Sequence, residues 1–160
     1  MQNSLVAIRN GRLKDRPEAL RVWHEFMDYH QRISAMDNEL VDKAGELRMQ
    51  YFERHIRSPK RKALIAEQDG QVIGFLLGEI QKRPPVFKTP CQAYVDSIGV
   101  AESKRNQGIG SLMLDCFAKW ASEKGAPYIM LHVVIENAAA IRLYEKHGYK
   151  TMGLSQRKLL

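Results

Sequence analysis

The chain has 160 residues and a formal net charge of +7, from 25 Lys and Arg against 18 Asp and Glu. This length predicts one domain, over residues 1–160, that buries its own hydrophobic core. The sequence shows neither a signal-peptide pattern nor a stretch apolar enough to cross a bilayer, so we expect a cytoplasmic protein. Cys91 and Cys116 lack the spacing of a metal site or a disulfide framework and are expected to be reduced thiols.

The N-terminal third predicts a strand followed by two amphipathic helices. The strand is Leu5–Arg9, and Asp15 stands before Pro17 as the N-cap of the first helix. Apolar residues then recur at helical spacing in two segments. They are Val22, Phe26, Tyr29 and Ile33 in the first helix, and Leu40, Ala44, Leu47 and Tyr51 in the second, which ends before Ser58-Pro59.

The middle of the chain predicts strands. Asp69-Gly70 favours a hairpin turn between strands at Ala63–Glu67 and Gln71–Ile80. The proline-rich segment Lys82–Pro90 predicts a loop, and Gln92–Val100 predicts the next strand.

The C-terminal half predicts helices and strands in alternation. A helix from about Gly110 to Lys124 ends at Gly125, and a second helix runs between Asn137 and Gly148. Strands are expected at Ile129–Val134 and, alone or as a pair, at Tyr149–Leu159. The buried face predicted for the first of these helices contains Leu112, Leu114, Phe117, Ala118 and Ala121, with Cys116 also on the buried side. The order of elements predicts a mixed α/β fold.

The turn between the fourth predicted strand and the following helix is the most informative motif, Arg105-Asn-Gln-Gly-Ile-Gly110. Main-chain N–H groups at a helix start have no partner inside the helix, and glycine lets a ligand approach them closely, so the turn can hold a diphosphate. A P-loop is excluded because no lysine follows Gly110, and a dinucleotide fingerprint is excluded because Met113 stands where its third glycine belongs. An ordinary tight turn is the alternative.

Three further segments extend the pattern: Ile98-Gly-Val100, the strand at Ile129–Val134, and Asn137-Ala-Ala-Ala-Ile-Arg-Leu-Tyr-Glu-Lys-His-Gly-Tyr149. In this order and spacing, residues 70 to 155 resemble the GCN5-related N-acetyltransferase superfamily. The resemblance implies a central, mostly antiparallel sheet of six to seven strands with helices on both faces, in which the fourth and fifth strands splay apart. It also implies acetyl-CoA as cosubstrate, no metal, and transfer of the acetyl group to a primary amine of a small molecule or peptide by direct attack. Homodimers are common in the superfamily.

The same resemblance implies a set of CoA-binding residues. These are Ile98, Gly99, Val100, Arg105, Asn106, Gln107, Gly108, Ile109, Gly110, Ser111, Asn137 and Tyr144. Gly99 also favours a β-bulge, although a packing requirement is the alternative for this glycine. Asn137 is equally a good helix N-cap, and both roles are compatible.

Two residues are candidate catalysts. Tyr144 matches the family's general acid, and a phenol with a pKa near 10 suits protonation of a thiolate whose conjugate acid has a pKa of about 8.5. Asp96 is the first candidate base, and strand alternation puts it on the same sheet face as Ile98 unless a bulge intervenes. Glu79 is the reserve candidate, and an ordinary ion pair is the alternative for either carboxylate.

Two functions of other classes remain open. A non-catalytic CoA-binding regulator would keep the turn but not need Tyr144 or Asp96. A nucleic-acid-binding module would use the basic cluster Arg48, Arg54, Arg57, Lys60, Arg61 and Lys62, although a solvated helix face that attracts polyanionic CoA is favoured. No nucleic acid is expected as a partner, because no recognised nucleic-acid module accompanies the basic cluster. His24 and Asp28 share a helix face but lack a metal-binding pattern, so no metal is expected either.

Overall fold

The computed structural model describes residues 5–34 and 40–158. Within these ranges five strands form one sheet: β1 (Ala7–Asn10), β2 (Arg61–Gln68), β3 (Gln71–Lys82), β4 (Cys91–Val100) and β5 (Ile129–Leu131). They lie in the order β1-β2-β3-β4-β5, and every neighbouring pair is antiparallel except β4–β5, which is parallel. The helices are α1 (Arg16–Ile33), α2 (Ala44–Arg57), α3 (Ile109–Glu123) and α4 (Ala138–Lys146). The predicted mixed, mostly antiparallel α/β fold is confirmed.

The helices cover both faces of the sheet. Because successive residues of a strand point to opposite faces, Phe75 of β3 belongs to the core under α1 and α2, whereas its neighbour Leu76 belongs to the core under α3 and α4. Phe75 and Leu76 are both fully buried, as expected for a central strand covered on two sides. Gly78 lets α3 approach β3, since a Cβ atom there would lie 2.5 Å from the ring of Phe117.

Asp15 precedes α1 as predicted, but its carboxylate makes no capping hydrogen bond to that helix. It instead accepts from Nη1 and Nη2 of Arg9 at 2.7 and 2.9 Å, and from the N–H of Arg12 at 2.7 Å. Burial alone would raise the pKa of Asp15, but these donors outweigh burial, so its pKa is lowered. The buried carboxylate therefore ties β1 to the start of α1.

The predicted strand at Tyr149–Leu159 is wrong over its described part, since residues 149–158 form no strand, and Leu159 lies outside the described residues. Met152 and Leu154, which would form the apolar face of that strand, are 80% and 82% exposed. No packing therefore stabilises an extended pairing there. The described sheet has five strands rather than six to seven, and β5 ends at Leu131 instead of Val134.

The helix faces differ from the predicted ones by about one position. Leu47 of α2 is 51% exposed and Leu112 of α3 is 44% exposed, and Cys116 and Ala118 are also exposed. The buried face of α3 is instead formed by Ile109, Met113, Leu114, Phe117, Trp120 and Ala121. A period of 3.6 residues leaves two adjacent positions nearly equivalent, and the contact with the sheet decides between them. No helix among the described residues has the length and apolar character that a membrane crossing requires.

Candidate active site

β4 and β5 separate halfway along β4. They pair from Ala93–Ile129 to Val95–Leu131 and no further. Residues 96–100 of β4 continue to pair with β3 on the other side, so their outer edge has no strand partner within the described chain. The predicted splay of the fourth and fifth strands is confirmed, and it opens a gap in the sheet beside Asp96.

A β-bulge at Asp96 marks the start of this gap. Leu77 pairs with Ser97 and Gly78 pairs with Val95, which leaves Asp96 as an extra residue on β4. A bulge turns two successive side chains to one side of the sheet. Asp96 and Ser97 accordingly both contact α2, where they accept hydrogen bonds from His55 and Arg48.

The bulge corrects two predictions. It lies at Asp96 and not at Gly99, and it breaks the alternation that would have put Asp96 and Ile98 on one face. Ile98 packs into the core on the α3 side, whereas Asp96 faces α2. Gly99 has the packing role that was the alternative, since a Cβ atom there would lie 2.7 Å from Cε1 of Phe75.

The turn before α3 has an unusual backbone. Asn106 and Gly108 have φ angles of 62° and 79°, and no heavy atom lies within 4 Å of a Cβ atom built on Gly108. The first hydrogen bond of α3 that reaches back into the turn runs from the N–H of Leu112 to the carbonyl of Gly108, at 3.1 Å. Residues 105 and 106 lie in a turn, and within the described part of the chain none of the N–H groups of residues 106–111 donates a hydrogen bond of ordinary length and angle.

Six consecutive N–H groups are thus free at the positive end of the α3 dipole, next to open space at Gly108. Donors in this arrangement suit an anion such as a phosphate or diphosphate. Gly110 has a different reason to be glycine, because a Cβ atom there would lie 3.0 Å from Cδ2 of Leu143 in α4.

Two cations lie beside the turn. Arg105 donates from Nε to the carbonyl of Val100 at 3.1 Å, and its guanidinium lies 4.9 Å from the ring centroid of Tyr29. Lys104 donates to Oε1 of Gln68 at 2.9 Å. Neither forms an ion pair with a described carboxylate, so both charges add to the positive potential at the turn.

Asn137 caps α4 as predicted and also reaches across the gap. Its Oδ1 accepts from the N–H of Ala140 at 3.1 Å and makes a longer contact with the hydroxyl of Tyr29 at 3.5 Å. Tyr29 belongs to α1, so this contact connects the two sides of the sheet where β4 and β5 separate. Asn137 is 6% exposed.

Tyr144 follows Asn137 by seven residues, which places both on one face of α4. Its side chain is 8% exposed, and its ring centroid lies 5.7 Å from that of Tyr149. Burial, and then the neighbouring Tyr149, raises the pKa of Tyr144 to about 12. The phenol therefore keeps its proton at neutral pH.

Asp96 forms a buried pair with His55, which is 1% exposed. Nε2 of His55 lies 2.9 Å from Oδ2 of Asp96, and Nδ1 lies 2.9 Å from the carbonyl oxygen of Tyr51. A carbonyl only accepts, so Nδ1 carries a proton. These two contacts fix the imidazole ring of His55 and hold Oδ2 of Asp96 in place.

Glu79 forms the ordinary ion pair that was the alternative to a catalytic role. Its Oε2 accepts from Nε of Arg61 at 3.0 Å, and its Oε1 accepts from Gln81 at 3.2 Å. Both carboxylate oxygens are therefore engaged. Tyr51 lies near both acids, and burial followed by the charge of Asp96 raises its pKa to about 12.

Sequence reasoning did not single out His55 or the inward position of Arg48. Both continue the buried face of α2 that contains Phe52, with Arg48 seven residues before His55. A polar residue in line with an apolar helix face was the available signal. His24 and Asp28, which the sequence does not predict to form a metal site, are exposed, and no group of three His, Cys, Asp or Glu side chains converges in the described ranges.

The comparisons with known proteins agree with this geometry. The sequence model of the acetyltransferase (GNAT) family matches residues 20–149. The chain is 32% identical over 108 residues to an N-alpha-acetyltransferase of Sulfurisphaera tokodaii. This alignment covers 62% of this chain and 63% of that protein. The chain is also 31% identical over 111 residues to an L-amino acid N-acetyltransferase of Escherichia coli. That alignment covers 68% of this chain and 65% of that protein.

A solved aminoglycoside N-acetyltransferase in complex with CoA superimposes with a TM-score of 0.76 at 18% identity, covering 98% of this chain and 97% of that one. At 18% sequence identity this structural similarity shows a shared fold and nothing further. The chain spans 43–63% of the length of four curated relatives that it matches. Since the family model covers most of the sequence, the chain belongs to the acetyltransferase (GNAT) family.

Proposed function

We propose that this protein is an acetyl-CoA-dependent N-acetyltransferase that acts on a primary amine of a small molecule or peptide, as one domain over residues 1–160. The observation that carries the proposal is the run of six free N–H groups at residues 106–111, beside the unpaired outer edge of β4. The named relatives acetylate amines, and a structure of the same fold was solved with CoA, which supports the same chemistry here.

In this proposal the turn from Arg105 to Ser111 holds the diphosphate, and Lys104 adds charge. Main-chain groups of Ile98, Gly99 and Val100 bind the pantetheine arm, except that the Val100 carbonyl already accepts from Arg105. Asn137 orients the acyl end with the part of its amide that does not cap α4. Bound acetyl-CoA supplies the activated acetyl group.

Proton transfer is assigned to two residues. Asp96 receives the proton of the acceptor's ammonium, directly or through a water molecule, while His55 holds the carboxylate in position. Tyr144 donates its phenolic proton to the departing thiolate, and its pKa of about 12 keeps that proton available. Direct attack requires the amine and the acetyl group to meet at the gap beside Asp96.

The test is release of free thiol from acetyl-CoA in the presence of a panel of amines: L-amino acids, peptides with free N-termini, polyamines and aminoglycosides. The proposal expects amine-dependent thiol release that depends on Asp96 and Tyr144. Tight CoA binding without thiol release from any amine would instead favour the non-catalytic CoA-binding regulator. A salt-sensitive gel shift with DNA, without CoA binding, would favour the nucleic-acid module.

A further inference from the structure

Arg48 of α2 is enclosed by aromatic rings. Its guanidinium carbon lies 5.6 Å from the ring centroid of Trp23, 5.3 Å from that of Tyr51 and 5.5 Å from that of Phe75. One terminal nitrogen donates to Oγ of Ser97 at 2.6 Å. Burial lowers the pKa of Arg48 to about 10, so the side chain remains a cation at neutral pH.

Arg48 forms no ion pair with a carboxylate among residues 5–34 and 40–158, although the nearby charge of Asp96 favours its protonated form. Other arginines in the same region do form such pairs, since Arg16 and Arg57 each pair with Glu53 at 2.7 Å, and Arg61 pairs with Glu79 at 3.0 Å. A guanidinium carries five N–H donors, and the structure uses one of those of Arg48. A half-buried cation with unused donors favours an anionic ligand.

The position of Arg48 would place a bound anion next to the candidate base. Ser97, its hydrogen-bond partner, is adjacent to Asp96 in the bulge where β4 leaves β5. A ligand that bridged the two sites would present an amine to Asp96 and an oxyanion to Arg48. An α-amino acid carries both groups on neighbouring carbons, and a carboxylate matches the planar fork of a guanidinium.

We propose that Arg48 binds the carboxylate of the acceptor and that the acceptor class is free α-amino acids. The inference rests on the proposed function and narrows it. It disfavours polyamines, which lack an anionic group, and N-terminal residues of longer chains, whose carboxyl group is part of a peptide bond.

The test compares each of a set of L-amino acids with its own carboxamide, by thiol release from acetyl-CoA. The wild type is expected to prefer the acid by about 10- to 100-fold in kcat/KM, the value of a charge-assisted contact. Arg48→Gln is expected to abolish this preference by raising KM for the acid, with little change for the carboxamide. Arg54→Gln is the matched control, since Arg54 also lies over the Tyr51 ring, at 5.2 Å, but is exposed.

A second readout does not depend on turnover: the free amino acid, and not its carboxamide, should raise the melting temperature of the wild-type CoA complex but not of the Arg48→Gln complex. Equal use of acid and carboxamide by the wild type, or an unchanged ratio in Arg48→Gln, would overturn the role of Arg48 and leave the acetyltransferase intact. A purely structural Arg48 would lower the rates for both compounds alike. Absence of thiol release from every amine would overturn both proposals together.

Discussion

Nε2 of His55 lies 2.9 Å from Oδ2 of Asp96, with the imidazole shielded from solvent. This contact is made possible by the bulge in β4, which turns Asp96 toward α2. It places the carboxylate at the point where the sheet opens, and it gives that carboxylate a fixed orientation. The candidate base is therefore held by a residue from a different layer of the fold.

The first prediction concerns Asp96. Asp96→Asn keeps the shape of the side chain but cannot take a proton from an ammonium, so we expect kcat to fall by about 100-fold, in the range of lost general-base catalysis. Acetyl-CoA affinity should stay unchanged. Glu79→Gln is the control, because Glu79 is already engaged with Arg61 and Gln81. Steady-state kinetics of both variants test the assignment of Asp96 as the base, and equal losses of kcat in the two variants would refute that assignment.

The second prediction concerns Tyr144. Tyr144→Phe removes the phenolic proton and should lower kcat by about 10- to 100-fold, with little change in KM for acetyl-CoA. Because the pKa of Tyr144 is raised to about 12, the phenol stays protonated as pH rises from neutral to about 10, and the wild-type profile should show no loss assignable to it. Tyr149→Phe is a matched control, since burial also raises the pKa of Tyr149 to about 12. Unchanged turnover in Tyr144→Phe would remove the role of Tyr144.

The third prediction concerns the turn before α3. Gly108→Val forces a β-branched residue into a φ of 79° and should disrupt the free N–H groups that follow it. We expect CoA affinity to fall by at least about 100-fold, the effect of losing several charge-assisted hydrogen bonds. Gly125→Val is the control, because Gly125 also has a φ of 79° with no heavy atom within 4 Å. It should cost similar stability yet bind CoA normally, whereas equal loss of binding in both variants would contradict a local role.

Much of the candidate CoA-binding region could be predicted because its signals are local. A glycine turn before a helix, an N-cap at Asn137 and a tyrosine two turns later are each written in a few neighbouring residues. The acceptor side could not be predicted in the same way. The bulge at Asp96 depends on pairing with β3, and the contacts of His55 and Arg48 depend on how α2 lies on the sheet.

The predicted C-terminal strand is an error of another kind: here a local sequence pattern indicates a strand that the described structure does not form. Residues such as Met152 and Leu154 alternate with polar ones as in a strand, but alternation stabilises a strand only when a neighbouring strand and a core are available. In the described structure both side chains are exposed. The local pattern was present and the tertiary partner was not.

The fourth prediction concerns stability. Asp15→Asn removes the charge that Arg9 and the Arg12 N–H contact, and should lower the free energy of unfolding at pH 7 by about 1.5–3 kcal/mol, the value of hydrogen bonds to a charged group. The pKa of Asp15 is lowered from its ordinary value of 3.8, so its stabilisation is fully present above that pH and is lost as pH falls through the folded-state value. Urea unfolding should thus show a difference that is constant near neutral pH and shrinks below about pH 3.8.

The control for this prediction is Glu53→Gln. Glu53 pairs with Arg16 and Arg57 at the surface, and exposed pairs contribute little. Its unfolding midpoint should barely change. A wild-type advantage over Asp15→Asn that persisted undiminished at acid pH would show that the carboxylate charge is not the stabilising feature.

Binding of the diphosphate is tested most directly by calorimetric titration of the folded protein with CoA, with dephospho-CoA, which keeps the diphosphate but lacks the 3′-phosphate, and with pantetheine, which lacks the whole nucleotide. If the N–H groups of residues 106–111 hold that diphosphate, CoA and dephospho-CoA should both bind with measurable heat, and pantetheine should bind at least about 100-fold more weakly than either. Absence of heat from CoA, or equal affinity for dephospho-CoA and pantetheine, would contradict this role of the turn.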